Sequence, residues 1–503
     1  MDRLVIQKCR VFGYSLRKDA LKMVLEWLNS KEEGLEALNM LLESIRKGCK
    51  KGSVLGVEEV VEALNGMNGN GNEHDIGLIE VYDAFGSGSV HYESSSRQYS
   101  IRKNDCNFLY ECESVLESGY ENLLMVKNRV NRNKQFLSSS GELLGIDGLL
   151  GKEDDSLVNL LGVLCRNPSN GNEFVLEDGE GRVVLDLSES EFQSGYFCEG
   201  MIVLLVGVMR GSVFHVMSVS HPPSEKREVS MKMLREVEYL GVMRGSEKES
   251  LLLREEAVNE MMVVMLSEVY LDDERVLARL SKVLEAYSKL SPAPCFVLMG
   301  EFMSPSYSVS MDGVRDLFSR LGSVIGLYPR LVREGKFIVI AGERDVGWNG
   351  VYPRSGIPRA LSGGLRSVFK GYEDHLVFGS NPCRIRVLSQ EVCVFRDALV
   401  DRLAKNTINS VLTEDPYACM VKTVVRQGHL LPVSRQVAPR SAALEGYLRL
   451  FPLPDVLVVS SGGREVVLEY SGCEVVNPGS FAEGRFVVYR PCRREMEFSE
   501  CPL

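Results

Sequence analysis

The 503-residue sequence lacks long hydrophobic runs, paired cysteines and an excess of positive charge. Its most apolar run, residues 201–209, is only nine residues long, whereas a membrane-spanning helix needs about 20. We therefore expect no membrane segment. The first residues contain no apolar core followed by a small-residue cleavage site, so we also expect no signal peptide.

Metal-binding and disulfide patterns are missing as well. The 13 cysteines are scattered and no two form a CxxC pair, although structural zinc sites use such closely spaced ligands. Disulfide frameworks are typical of short secreted chains. We therefore expect reduced thiols in an intracellular protein that holds no metal and no cofactor.

Negative charge exceeds positive charge, with 58 Lys and Arg against 69 Asp and Glu and a net charge of −11. Proteins that coat nucleic acid neutralise phosphates with Lys and Arg, so the acidic balance argues against that class. The apolar and charged fractions, 45% and 25%, are typical of a folded soluble protein. The length predicts about two to four domains.

The first two predicted segments are a helical domain and a connection. Residues 1–64 carry apolar side chains at three- and four-residue spacing, as at Leu21, Val24 and Leu28, which predicts a small all-α domain. Residues 65–143 begin with an Asn- and Gly-rich stretch that is typical of a flexible linker. Residues 108–136 are helical in pattern but heavily charged. We interpret 65–143 as a linker and bridging segment.

The rest of the chain predicts two further domains. Residues 144–224 contain five short strand patterns, which favours a small closed barrel of the OB type. In residues 225–503 apolar strands alternate with helices, which predicts a layered α/β domain. The expected fold is therefore multidomain, with an all-α N-terminal domain, a five-stranded OB-type β-barrel and an α/β domain.

Polar motifs follow the predicted α/β strands, where such sheets hold their sites. The motifs are SEVYLD at 267–272, GEFMS at 300–304, GERD at 342–345, QGHLLP at 427–432 and NPGSF at 477–481. Their order and spacing resemble the calcineurin-like metallophosphoesterases. The resemblance implies the fold of that family, whose motifs D-x-H, G-D-x-x-D, G-N-H-D/E and G-H-x-H hold two metal ions.

The matching positions are poor metal ligands. The resemblance assigns the family's ligand positions to Glu268, Tyr270, Glu301, Ser304, Glu343, Arg344, His429 and Leu431. Tyrosine, serine and leucine are weak or impossible ligands here, and an arginine adds a permanent cation to a site for cations. We therefore expect an inactive phosphoesterase site without catalytic residues.

Two hypotheses describe the polar groups that remain at this site. In the first, Arg344 is buried and replaces the lost metals by pairing with Glu268, Glu301 and Asp345, because buried charges need partners. In the second, Glu268, Glu301 and His429 form a single-metal remnant, since two carboxylates and an imidazole can make a facial triad.

A barrel followed by a phosphoesterase domain without ligands resembles the B subunits of the eukaryotic replicative DNA polymerases, most closely those of polymerase epsilon. The segments that carry this resemblance are FVLEDGEGRVVLDLSESEFQSGYFCEG (174–200), VFHVMSVSHPPS (213–224), SPAPCFVLMGEFMSPSY (291–307), SNPCRIRVLSQEVCVFRDALV (380–400) and LFPLPDVLVVSS (450–461). It covers essentially the whole chain and is thinnest at 65–143 and 225–260.

The resemblance implies a non-catalytic accessory subunit that works in nuclear DNA replication. Family members bind the C-terminal domain of the catalytic subunit through the barrel and the phosphoesterase-like domain. Their N-terminal domain links the polymerase to the replicative helicase through the GINS complex.

Two alternative functions stay open. An active metal-dependent phosphodiesterase or nuclease is disfavoured by the ligand losses, and a B subunit of polymerase delta or alpha is disfavoured by the segment 380–400 and the helical start.

Direct DNA binding needs a basic surface. Residues 144–221 contain four basic and twelve acidic residues, a net charge of −8, so we expect a protein-binding barrel that binds DNA only weakly or through a complex.

One stretch, residues 346–372, has no Asp or Glu but carries Arg354, Arg359, Arg366 and Lys370. It is interpreted either as a solvated loop and helix or as a contact for DNA phosphates or an acidic partner.

Overall fold

A computed structural model describes most of the chain. The described residues are 5, 8, 15–28, 54–55, 78–103, 112–136, 142–152, 155–171, 173–234, 240, 251, 255, 260–308, 310–347, 350–409 and 414–502. They fall into two compact units, Met1–Leu78 and Ile79–Leu503. In this described part of the chain, no helix is long and apolar enough to cross a membrane.

The first unit contains β1 (Ser15–Leu16), α1 (Lys18–Leu28) and β2 (Val54–Leu55). The first predicted helix is present as α1, and its face with Ala20 and Val24 is buried. β1 and β2 pair in parallel; this pair was not predicted, because two-residue strands show no alternation. The helices expected near 35–45 and 57–64 and the linker 65–72 lie outside the described residues, so the all-α domain stays a prediction.

The second unit begins with the segment that we expected to be only a bridge. It forms β3 (Ile79–Tyr82), β4 (Gly88–Glu93), β5 (Gln98–Lys103) and α2 (Cys112–Arg132). β4 and β5 make an antiparallel hairpin. The helical pattern of 108–136 is present as α2, but the bridge interpretation did not predict that the segment packs into the second unit. Buried residues of α2 include Leu123, Met125, Val126 and Val130.

Next comes the barrel, whose strands are β6 (Leu143–Leu144), β7 (Leu157–Arg166), β8 (Phe174–Glu177), β9 (Arg182–Asp186), β10 (Glu191–Phe192), β11 (Ile202–Arg210) and β12 (Val213–Ser220). Pairing runs from β7 through β8, β9, β12 and β11 back to β7, which closes a ring of five strands. The short strands β6 and β10 add to β7 and β12. The OB-type prediction is therefore confirmed.

The first α/β sheet and its helices follow. The elements are α3 (Arg227–Met233), β13 (Val263–Ser267), α4 (Glu274–Tyr287), β14 (Cys295–Met299), α5 (Met311–Gly326), α6 (Pro329–Glu334), β15 (Lys336–Ile340), α7 (Gly363–Val368) and β16 (Leu376–Gly379). β13 to β16 are parallel neighbours. α4 and α5 begin at Asp273 and Ser310, whose side chains accept hydrogen bonds from backbone N–H groups of the first turn.

The second sheet is built largely from the C-terminal third of the chain. Its elements and those that complete the first sheet are β17 (Cys383–Val387), β18 (Gln390–Arg396), α8 (Leu399–Asn406), α9 (Pro416–Gln427), α10 (Glu445–Leu448), β19 (Val456–Ser460), β20 (Val466–Tyr470), β21 (Cys473–Asn477), β22 (Arg485–Arg490) and β23 (Glu495–Glu500). The strand orders are β16-β15-β14-β13-β22-β23 and β20-β21-β19-β18-β17-β3.

The two six-stranded sheets pack face to face. Buried side chains such as Val263, Ile338 and Val394 fill the space between them. Helices α4 and α5 cover the outer face of the first sheet. The outer face of the second sheet shares one core with α9 and with barrel residues such as Leu205 and Phe214. The barrel and the α/β layers therefore form a continuous hydrophobic core, and the described fold is multidomain and layered.

Candidate functional site: the strand-end centre

Four strands of the two sheets bring polar residues to one place, which we call the strand-end centre. β13 is followed by Glu268, β14 by Glu301 and β15 by the loop that holds Asp345. β18 ends at Arg396. This is the place where the sequence predicted a phosphoesterase site, since parallel strands direct their carboxyl ends to one edge.

Arg396 is the cation of this centre, and its side chain is only 6% exposed. Its Nη2 donates to Oε1 of Glu268 at 3.1 Å and lies 3.9 Å from Oε1 of Glu301. Its Nε donates to the carbonyl of Gly300 at 2.6 Å, and its Nη1 donates to the carbonyl of Ser460 at 2.9 Å. One guanidinium therefore neutralises two carboxylates and also binds the ends of β14 and β19.

Glu301 and Asp345 are buried and bind backbone N–H groups. Glu301 accepts from the N–H groups of Glu343 and Arg344 at 2.9 and 2.8 Å. Asp345 accepts from those of Phe302 and Gly342, both at 2.8 Å. Burial, together with the charge of Glu301, raises the pKa of Asp345 to about 7. These carboxylates fix the loops after β14 and β15.

Two glycines allow this close packing. A Cβ at Gly300 would overlap Oδ2 of Asp345, and one at Gly342 would lie 2.6 Å from Oε1 of Glu301. Both positions belong to the motifs that resemble phosphoesterases, GEFMS and GERD. The glycines are therefore required by the loop geometry, whether or not a metal was ever bound.

The hypothesis that Arg344 replaces the metals is wrong. The Arg344 side chain is exposed, and only its backbone N–H reaches Glu301. Among the described residues it forms no ion pair, whereas Arg396 takes the predicted place between Glu268 and Glu301. The motif comparison pointed to Arg344 because it stands at a ligand position, but the side chain at the centre comes from another strand.

The other matched positions are occupied in ways that do not suit metal binding. Tyr270 is half-buried, and burial and the charge of Glu268 raise its pKa. The Ser304 hydroxyl donates to Asp272 at 2.6 Å. Glu343 accepts from Nη2 of Arg402 at 2.9 Å. These side chains therefore contribute hydrogen bonds and an ion pair to the surrounding loops.

His429 lies beside Glu445 and not beside the strand-end glutamates. Its Nε2 lies 3.3 Å from Oε1 of Glu445, and its Nδ1 accepts from the N–H of Leu431 at 3.0 Å. Leu431 is fully buried. Burial lowers the pKa of His429, although Glu445 partly opposes this shift. The facial triad of the second hypothesis is therefore not assembled.

A metal pair does not fit the strand-end centre. No three His, Cys, Asp or Glu side chains of the described residues are arranged to hold an ion. In addition, the guanidinium of Arg396 already lies against Glu268 and Glu301. A metal ion there would face a fixed positive charge.

The basic stretch 346–372 does not form one surface patch. Arg354 is buried, and its guanidinium donates to the carbonyl of Gly342. Arg366 is partly buried, lies 4.2 Å from the centre of the Phe378 ring and donates to the hydroxyl of Ser362. Arg359 and Lys370 are exposed. Only these two cations of the four are fully available to a ligand.

Sequence reasoning missed Arg396 and the residue that positions it, Asn381. The side chain of Asn381 accepts from the N–H of Arg396 at 3.0 Å and donates to the carbonyls of Ala341 and Arg396 at 3.0 and 2.7 Å. Both residues lie in the segment 380–400, one of those that carry the resemblance to the polymerase B subunits. That segment was the available signal.

Sequence profiles of two known families match the chain. Residues 263–467 match the family described as the B subunit of DNA polymerase alpha/epsilon. Residues 116–223 match the family described as DNA polymerase epsilon subunit 2-like, OB-fold domain. The two matches cover the barrel and most of the layered α/β part.

Similar proteins extend this likeness over nearly the whole chain. The B subunit of DNA polymerase epsilon from Schizosaccharomyces pombe is 30% identical over 442 residues, which cover 81% of this chain and 73% of the relative. The protein of the same name from Arabidopsis thaliana is 29% identical, covering 97% and 96% of the two chains. DNA polymerase epsilon subunit 2 of Homo sapiens is 28% identical with the same coverage.

Solved structures are less similar. A protein described as a novel archaeal phosphodiesterase aligns with 48% of this chain and 99% of its own, at 12% identity and a TM-score of 0.27. That score is too low to support a conclusion on activity.

Both sequence profiles match, and a relative is 30% identical over most of its length. The chain therefore belongs to the DNA polymerase epsilon B-subunit family of accessory subunits.

Proposed function

We propose that this accessory subunit is non-catalytic and binds the C-terminal domain of the polymerase's catalytic subunit in the nucleus. The observation that carries its catalytic silence is the guanidinium of Arg396 against Glu268 and Glu301. A two-metal phosphoesterase needs open coordination positions at this place. Here a protein cation with four contacts takes that space.

The charge of the barrel supports a protein partner. Its net charge of −8 over residues 144–221 repels phosphates. Exposed acidic side chains include Glu180, Glu189 and Glu191. We infer that this barrel docks on a protein surface, and that DNA is met weakly or through the assembled polymerase.

The division into two units supports separate attachments. Residues 1–78 form one unit and residues 79–503 the other. We infer that the first unit links the polymerase to the replicative helicase through the GINS complex, and that the second holds the catalytic subunit.

Catalytic silence is tested with the purified full chain and a chromogenic phosphodiester in Mn²⁺. We expect no hydrolysis above that of a preparation from cells without the gene. Turnover that survives repurification and is lost in Glu301→Gln would contradict the proposal.

Binding is tested by co-expression with the catalytic subunit's C-terminal domain and, separately, with GINS. Removal of residues 1–78 should abolish GINS capture and leave capture of the catalytic subunit intact. Removal of the barrel is unsuitable, because the barrel shares its core with the α/β layers.

Charge reversal by Glu189→Lys with Glu191→Lys should weaken capture of the catalytic subunit, whereas Asp316→Lys on α5 serves as a matched control outside the barrel. Loss of catalytic-subunit capture on removal of residues 1–78 would show that the division is wrong.

A further inference from the structure

A cavity of about 370 Å³ lies where α2, the barrel strands β7 and β11, and the loop 427–436 meet. It lies within the second unit and apart from the strand-end residues. Most of its wall is apolar, and its lining includes Met125, Val126, Ile202, Leu431 and Phe451. We call it the α2 cavity.

Arg129 of α2 lines this cavity and is only 8% exposed. Its Nη2 donates to the carbonyl of Arg426, but its Nε has no hydrogen-bond partner among the described residues. In the same part of the chain, no carboxylate forms an ion pair with it. Burial lowers its pKa to about 10, which leaves it a cation at neutral pH. The charge of Glu225 favours the charged form of Arg129, but both oxygens of that carboxylate are bound by Arg132. A buried cation that has no carboxylate of its own is costly.

The other charges around the α2 cavity do not supply that counter-charge. Arg435 and Arg440 both bind Glu445, at 2.5 and 2.7 Å. Arg449 binds Glu121 at 2.9 Å. The lining contains four arginines but only two carboxylates, those of Glu199 and Glu445. Glu199 lies 3.5 Å from Nε of Arg166. The cavity therefore combines an excess of positive charge with a mostly apolar wall.

These features define the ligand. A single unpaired guanidinium matches one negative charge, and arginine binds planar carboxylates especially well. The apolar wall matches an aliphatic or aromatic group next to that charge. We propose that the α2 cavity binds a peptide segment of a partner protein that carries a carboxylate beside an apolar side chain, with Arg129 as the carboxylate's partner.

The α2 cavity can be tested with the purified chain alone, so the result does not depend on the partners inferred above. A random peptide library is selected on the full-length protein and, in parallel, on Arg129→Met. The wild-type protein should enrich peptides that combine an Asp, Glu or free C-terminal carboxylate with a neighbouring large apolar residue. The variant should not enrich them.

The enriched peptides are then synthesised with the acid and with its uncharged amide, and their affinities are measured by fluorescence anisotropy. Loss of a charge-assisted hydrogen bond should weaken binding at least about tenfold. The same loss is expected for the acidic peptide with Arg129→Met. Peptides that bind equally well as acid and amide, or a ligand preference for inorganic phosphate over the acidic peptide, would overturn the proposal.

A stability measurement tests whether Arg129 truly lacks a counter-charge in the free protein. Arg132 on the same helix is the matched control, because its guanidinium makes two hydrogen bonds with Glu225, at 2.9 and 2.8 Å. Arg132→Met should lower Tm clearly more than Arg129→Met. The reverse order would show that a segment of this chain already pairs with Arg129, and the proposed peptide site would be wrong.

Discussion

Arg396 in the strand-end centre and Arg129 in the α2 cavity are both buried, but only the first has carboxylate partners. Glu268 and Glu301 lie against Arg396, whereas the Nε of Arg129 donates to no described atom. The protein thus buries one arginine to complete a structure and another beside an open volume. Burial alone does not distinguish a structural cation from a binding residue; the presence or absence of carboxylate partners does.

The same contrast holds for the surroundings. The strand-end centre has an excess of carboxylates, and one of them, Asp345, has a raised pKa. The α2 cavity has an excess of guanidiniums, and its carboxylate Glu445 has a lowered pKa. A raised and a lowered pKa predict opposite changes of folding stability with pH. The two regions can therefore be distinguished by experiment.

The largest expected effect comes from Arg396→Met. Removing this cation takes the counter-charge from Glu268 and from the buried Glu301 and should lower the free energy of unfolding by about 3–5 kcal/mol. Urea denaturation measures this change. Arg344→Met is the control, because that side chain is exposed and its backbone N–H is retained; its effect should stay within about 0.5 kcal/mol. Equal effects would remove the distinction between the two arginines.

The second prediction concerns pH at the strand-end centre. The pKa of Asp345 is raised from 3.8 to about 7, by burial first and by Glu301 second. Between about pH 4 and pH 7 the folded state therefore holds more protons than the unfolded state, and stability falls as pH rises. Relative to Asp345→Asn, the wild type should lose about 2 kcal/mol between pH 5 and 7. A difference that rises with pH would contradict this.

The third prediction is the opposite response at the α2 cavity. Burial alone would raise the pKa of Glu445, but the nearby imidazole of His429 and the charges of Arg440 and Arg435 hold the pKa well below its ordinary value. Its contribution to stability is therefore complete above the unfolded-state pKa and is lost as pH falls. Relative to Glu445→Gln, the wild type should lose about 1 kcal/mol between pH 5 and 3.5. We expect no such loss for the exposed control Glu189→Gln.

The smallest effect is expected at the surface, where charges are hydrated and need no partner. Arg359→Ala and Lys370→Ala should each change the free energy of unfolding by less than about 0.5 kcal/mol. If these side chains meet DNA phosphates, the double variant should reduce the dependence of DNA affinity on salt by about two counterions. Binding measured in a salt series checks this, and an unchanged slope would exclude the phosphate contact.

Much of the fold follows from sequence pattern. Apolar runs of five residues, such as Val263–Ser267 and Cys295–Met299, predicted the parallel strands because they are buried on both faces. The five strands of the barrel were also recognisable. β3 was not, because a strand of four residues shows little periodicity, and the helical pattern of α2 did not reveal where that helix packs. Their positions depend on pairing and packing with distant parts of the chain.

The sequence by itself predicted poor metal ligands at the positions that resemble a phosphoesterase site, since Tyr270, Ser304 and Leu431 are poor ligands in any fold. Only the tertiary structure decided which cation lies in the centre. Arg396 meets Glu268 across 128 positions of sequence, and no local spacing encodes that contact. It also decided that Arg129 faces a cavity without a carboxylate partner. Sequence sets the chemistry of each side chain, but the distance between charges, on which their energy depends, arises only when the strands and helices pack.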